Sequence, residues 1–146
     1  MRAQEGPTFL TRLAVAKMVG LVIGLIGFLL IPVITPDAPA PARWGVLLWY
    51  PTMGAVIAML EVLDDTRSLP WHLPWWLRGA LVGAWFNFLC VMVGDDFMGS
   101  FVTNMLGADS FLSTAYLFVP EGAAAGTVIA YLVMRFGGEG RAIEDD

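Results

Sequence analysis

Apolar and polar positions in this chain fall in blocks rather than alternating. No charged residue lies between Lys17 and Asp37, and a second uncharged stretch separates Arg43 from Glu61. A third lies between Arg78 and Asp95, extended backwards by Trp75, Trp76 and Leu77. A fourth lies between Asp109 and Arg135, broken once by Glu121. A bilayer core about 30 Å thick takes roughly 20 residues of helix to cross. The pattern predicts an all-α integral membrane protein, a four-transmembrane-helix bundle forming one domain over residues 1–146. The spans are expected at about 14–35, 44–63, 75–95 and 112–136, with a polar, acidic tail over 137–146. Ala38-Pro39-Ala40-Pro41-Ala42 after the first run has the look of a small-residue cleavage site. The run itself exceeds the roughly 7–15-residue core of a signal peptide, and is therefore read as a span.

Composition agrees with the blocks. Hydrophobic residues make up 58% of the chain and charged ones 14%, against about 45–50% and about 25% in soluble domains. The formal net charge of −5 argues against nucleic-acid binding, which needs a basic face. The distribution of the basic residues carries more information than their sum. With the N-terminus inside, the inner segments hold Arg2, Arg12, Lys17, Arg67, Arg78, Arg135 and Arg141, and the outer loops hold Arg43 alone. By the positive-inside rule both termini are cytoplasmic. The preference for arginine over lysine, with abundant Ala and Gly, points to a bacterial inner (plasma) membrane. Thr35–Ala42 is then a short outer loop, Asp64–Pro74 the inner loop, and Asp95–Asp109 a longer outer loop. Trp71, Trp75 and Trp76 at the inner end of the third span, and Trp44, Trp49 and Tyr50 near the outer end of the second, read as headgroup-level anchors.

The halves resemble each other. Gly54-Ala55-Val56-Ile57-Ala58-Met59-Leu60 aligns with Gly126-Thr127-Val128-Ile129-Ala130-Tyr131-Leu132, and Met18-Val19-Gly20 with Leu81-Val82-Gly83. This suggests two parallel two-helix repeats. Each span also carries small residues four apart: Gly20/Gly24, Gly54/Ala58, Gly79/Gly83 and Gly122/Gly126. That spacing puts both on one helix face, where backbones can approach closely, within the bundle or between copies. Pro51 falls inside the second span and can kink it. Pro120-Glu121-Gly122 either interrupts the fourth helix or begins it, in which case residues 111–119 form an interfacial or re-entrant segment.

Few polar groups remain as functional candidates. Glu121 is either a cation or proton site near the outer face or a first-turn carboxylate stabilised by the helix dipole. Asp95 and Asp96 belong to an acidic outer side with Asp37 and Asp109, without calcium-loop spacing. Asn87, mid-span, calls for an interhelical hydrogen bond. Glu61 has Arg67 or Arg78 as candidate partners. One histidine, His72, and one cysteine, Cys90, leave no His/Cys metal site and no Cys–His nucleophile. There is no G-x-S-x-G elbow, P-loop, dinucleotide fingerprint or haem-attachment motif. No catalytic residue, cofactor or metal ligand is assigned, and an enzyme is not expected. The expectation is a structural or accessory subunit packing through small-residue faces with itself or with other membrane-protein subunits. The alternative is a small transporter or channel with its site around Glu121, Asp95, Asp96 and Asn87.

Overall fold

The computed structural model describes residues 9–65, 73–110 and 113–137. Four α-helices account for nearly all of them: α1 Phe9–Ile34, α2 Ala40–Asp65, α3 Trp75–Leu106 and α4 Phe118–Phe136, the last preceded by a 3-10 turn at Ala115–Leu117. All four are long and apolar enough to cross a membrane, which makes the chain a multi-pass, all-helical membrane protein by length and composition. The tail from 138 onward, Trp71, His72 and Arg67 lie outside the described residues.

Four of the expected boundaries shift, among them the starts of α1, now at Phe9, and of α4, now at Phe118. α2 begins at Ala40, before Arg43, because Pro41 in a first turn gives up no helical hydrogen bond. α3 does not stop at Asp95 but continues to Leu106. The expected outer loop over 95–109 is therefore helical through residue 106. Phe97, Met98, Phe101, Val102 and Met105 recur at helical spacing and form an apolar face, a periodicity hidden behind the two aspartates. Gly94 departs from helical geometry at φ −122°, ψ 31°, so α3 bends there, as helices commonly do at glycine. At the head of α4, Pro120 lies in the first turn, where its missing N–H is harmless. The tripeptide therefore belongs to the start of the helix and does not break its interior.

The bundle consists of two hairpins. α1 packs chiefly on α2, and α3 on α4. In a bilayer, close van der Waals contact and polar bonds must hold helices together, since lipid is as apolar as a leucine side chain. The glycines supply that closeness. A Cβ on Gly20 would overlap the carbonyl of Tyr50, one on Gly54 the carbonyl of Ala16, and one on Gly24 would lie 2.8 Å from the Leu47 oxygen. Leu47 O is also the carbonyl that Pro51 deprives of its helical donor. In the second hairpin the contact is reciprocal: Gly79 lies against Gly126, and Gly83 against Gly122.

The hairpins meet over a core containing Met53, Ile57, Ile129 and Val133, all at most 1% exposed. Below this core Arg78 donates to Glu61 at 2.7 Å, with both side chains buried, joining α2 to α3. At the opposite end Asn104 Nδ2 donates to Thr35 Oγ1 at 3.3 Å, so the α1–α2 and α3–α4 connections share one end of the bundle. Along the spans much of the surface is apolar: Leu21, Leu25, Leu29 and Val33 are exposed on α1, as expected of a lipid-facing helix.

Replacing Gly83 or Gly126 by leucine should therefore destabilise the folded chain by at least about 1–3 kcal/mol, the ordinary cost of overpacking. Gly45→Leu should not, because nothing lies within 4 Å of a Cβ there. Thermal unfolding in mild detergent distinguishes the three variants.

Candidate functional site

Three helices bring four polar side chains to one point. Tyr50 on α2 donates its hydroxyl to both carboxylate oxygens of Glu121 on α4, at 3.0 and 2.9 Å. Asn87 on α3 donates from Nδ2 to Glu121 Oε2 at 2.6 Å and to the Phe118 carbonyl at 2.9 Å. Its own carbonyl oxygen accepts from Trp49 Nε1 at 3.2 Å. The result is a chain of donors, indole to amide to carboxylate, with a phenol on the far side. Polar groups in hydrocarbon must be paired in this way, because no water is at hand to replace a missing partner.

Local sequence explains the convergence. Gly122, beside Glu121, has no side chain, and a Cβ there would strike Cβ of Asn87. The close α3–α4 approach thus lets the short Asn87 amide reach both Glu121 and the carbonyl of Phe118 in the first turn of α4. Asn87 is 3% exposed. Tyr50, 8% exposed, stands roughly 15 Å along α2 from its first residue, by the helical rise. From the Trp75 end of α3, Asn87 is about 18 Å along the axis. Along α4, Glu121 is only about 4.5 Å from Phe118, so the cluster sits near the N-terminal end of that helix.

These positions correct the expectation for two aromatics. Trp49 and Tyr50 were expected at headgroup level, but both face inward, onto Asn87 and Glu121. Trp49 also packs on Phe86, with ring centroids 5.4 Å apart. A Trp-Tyr pair followed by proline inside an apolar helix is the signal that marks them. Trp44, in contrast, is 57% exposed and stacks edge-on with Phe28, whose ring also carries the Arg43 guanidinium at 4.6 Å.

The cluster forms part of the wall of a cleft. A cavity of about 310 Å³ lies between the hairpins, lined from all four helices, with Glu121, Asn87 and Tyr50 in its wall. The rest of the lining is almost wholly apolar, from Ile23 and Leu30 on α1 to Phe97 and Phe101 on the extension of α3. Glu121 is bonded on one side and remains exposed on the other, toward the cleft. Of the two sequence readings of this residue, the fold shows the first-turn placement in α4, to which it adds the bonds from Tyr50 and Asn87.

Asp95 and Asp96 are not part of it. They are exposed and line a separate, polar hollow with Ser100, Thr103, Asn104 and Ser113 at the connection end. Among the described residues no group of three or more His, Cys, Asp or Glu side chains is placed to hold a metal ion. The small residues expected to pack helices, Gly20, Gly24, Gly54, Ala58, Gly79, Gly83, Gly122 and Gly126, are all buried within the chain. Comparison with protein-family models, with characterised proteins and with solved structures finds no match to this chain.

Asn87→Ala should cost about 1–2 kcal/mol of stability in detergent, the scale of interhelical polar contacts in membranes. It should also change the emission of a protein in which Trp49 is the only tryptophan. Asp95→Asn and Asp96→Asn should leave both measurements unchanged.

Proposed function

We propose that the chain is a small membrane transporter in which Glu121 holds a proton or a cation in turn. One observation carries this reading: a carboxylate among four apolar helices is fixed by Tyr50 and Asn87 on one side and lines a cavity on the other. An ionised carboxylate facing an apolar cleft is costly unless a proton or a positive ligand neutralises it. Fixed donors and one open face allow either to occupy the site without rebuilding it. No covalent step is invoked.

The accessory-subunit expectation drew on small-residue faces available to a partner. In this fold those faces are consumed by the chain's own helix contacts, which removes that argument and favours transport.

Two further elements complete the proposal. The chain sits in a bacterial inner membrane with both termini cytoplasmic, supported by the basic-residue distribution. The site then lies in the outer half, nearer the connections that Asn104 and Thr35 join. The hairpins also descend from a duplicated two-helix unit. Support comes from matched contacts: Ala16–Gly54 and Gly20–Tyr50 in the first hairpin correspond, under the sequence alignment, to Gly79–Gly126 and Gly83–Gly122 in the second. The repeated unit has diverged where Tyr50 stands opposite Gly122 in that alignment, so the polar site is single.

In proteoliposomes with an imposed proton gradient, external sodium, potassium, tetramethylammonium or tetraphenylphosphonium should in at least one case drive proton movement that Glu121→Gln abolishes and Glu121→Asp retains in part. A silent wild type with all four, or Glu121→Gln as active as wild type, overturns the proposal.

A further inference from the structure

We propose that the cation accepted at Glu121 is a lipophilic organic monocation, which enters the cleft from the bilayer and binds as the proton leaves. This rests on the transport reading above and specifies its substrate.

The donor set is wrong for a bare metal ion. Calcium and magnesium take about six to eight oxygen ligands, and potassium sites replace a hydration shell with a cage of carbonyls. The cleft offers the two oxygens of one carboxylate, and Tyr50 and Asn87 already point donor hydrogens at them. Asn87 Oδ1 is engaged by Trp49 and the Phe118 carbonyl by Asn87. Nothing on α1 supplies an oxygen, because its contribution to the lining is aliphatic.

The space is also wrong for a small ion. The cavity of about 310 Å³ is roughly ten times the ~30 Å³ share of one water, and lies at the lower end of the ~300–1,000 Å³ range of organic-ligand pockets. Its walls are the aliphatic face of α1 and the aromatic rings of Phe97, Phe101, Phe118 and Trp49. Such walls suit an apolar body, and the ring faces additionally attract positive charge.

Charge selects the sign. Among the described residues no Lys, Arg or His lines the cleft. The titratable groups facing Glu121 are Tyr50 on α2 and Cys90 on α3, and α1 offers none. With one ionised carboxylate the site has a single negative charge, matched by a monocation. The way in is apolar as well. Ile26 and Leu30 on the rim are 54% and 46% exposed and lie within the apolar span of α1, so this part of the rim faces lipid tails. A ligand already dissolved in the bilayer reaches Glu121 without crossing a polar mouth. The exchange balances: one proton leaves the Glu121 carboxyl to the aqueous side as one positive charge enters.

The test uses tetraphenylphosphonium and its anionic counterpart of the same shape, tetraphenylborate, titrated into the purified full chain in mild detergent. The phosphonium should bind one per chain and weaken up to about tenfold for each unit the pH is lowered, as competition with a single proton requires. Tetraphenylborate should not bind at the same site. Glu121→Gln should abolish phosphonium binding. Leu30→Trp fills the rim without touching the polar cluster and should weaken binding about tenfold or more, even if Glu121→Gln proves hard to isolate. Equal binding of both probes, or phosphonium binding that neither variant changes, overturns the inference. No phosphonium binding together with Glu121-dependent sodium or potassium flux overturns the substrate class and leaves the transport reading standing. No binding and no flux of any cation overturns both.

Discussion

A carboxylate cannot rest among lipid-facing helices unless something in the protein replaces the water it has lost. Glu121 meets that constraint through Tyr50 and Asn87, and the arrangement of the bundle follows from it. Tyr50 belongs to the first hairpin, Asn87 and Glu121 to the second. The carboxylate therefore joins two halves whose shared core is otherwise made of apolar side chains. Those apolar contacts are not directional, and in a bilayer they gain little over contact with lipid. Polar bonds of defined length set the register that dispersion leaves loose.

A second tie works at the other end. Glu61 and Arg78 connect α2 to α3, roughly 16 Å along α2 from Tyr50 by the helical rise. With one polar bond set near each end and Met53, Ile57 and Ile129 packed between, the hairpins are held at both ends of their shared core. Within each hairpin the constraint is different. There glycines bring backbone against backbone, and the closeness of α3 to α4 is what allows a side chain as short as asparagine to bridge to Glu121. Close packing inside the hairpins thus makes the polar junction between them possible. The cleft is what remains where the hairpins diverge beyond that junction, covered in part by the bent extension of α3 after Gly94.

The number of membrane helices was legible in the sequence because charge is excluded from four stretches of sufficient length. Helix ends were legible only in part. Asp95 and Asp96 read as the end of a span, which they are in composition, yet the helix continues past them because Met98 and Val102 keep one apolar face inside. Glu121 and Asn87 stood out singly, as polar residues in apolar runs. Their meeting could not be read, since it depends on which helices pair and at what rotation. Trp49 and Tyr50 were the harder case. Aromatic residues near a span end have an ordinary interfacial explanation, and their inward role depends on partners from other helices, Asn87 and Glu121. The eight small residues were found by spacing, but spacing does not say whether a face meets its own chain or another copy; here it meets its own.

The central claim is that Glu121 and Tyr50 are energetically coupled across the hairpin boundary. A double-mutant cycle of Tyr50→Phe and Glu121→Gln, read from unfolding free energies in mild detergent, measures this directly. The two substitutions should be non-additive by about 1 kcal/mol, as expected of a shared interhelical bond. Additivity within about 0.3 kcal/mol would contradict the account, because the two side chains would then not be joined in the folded protein.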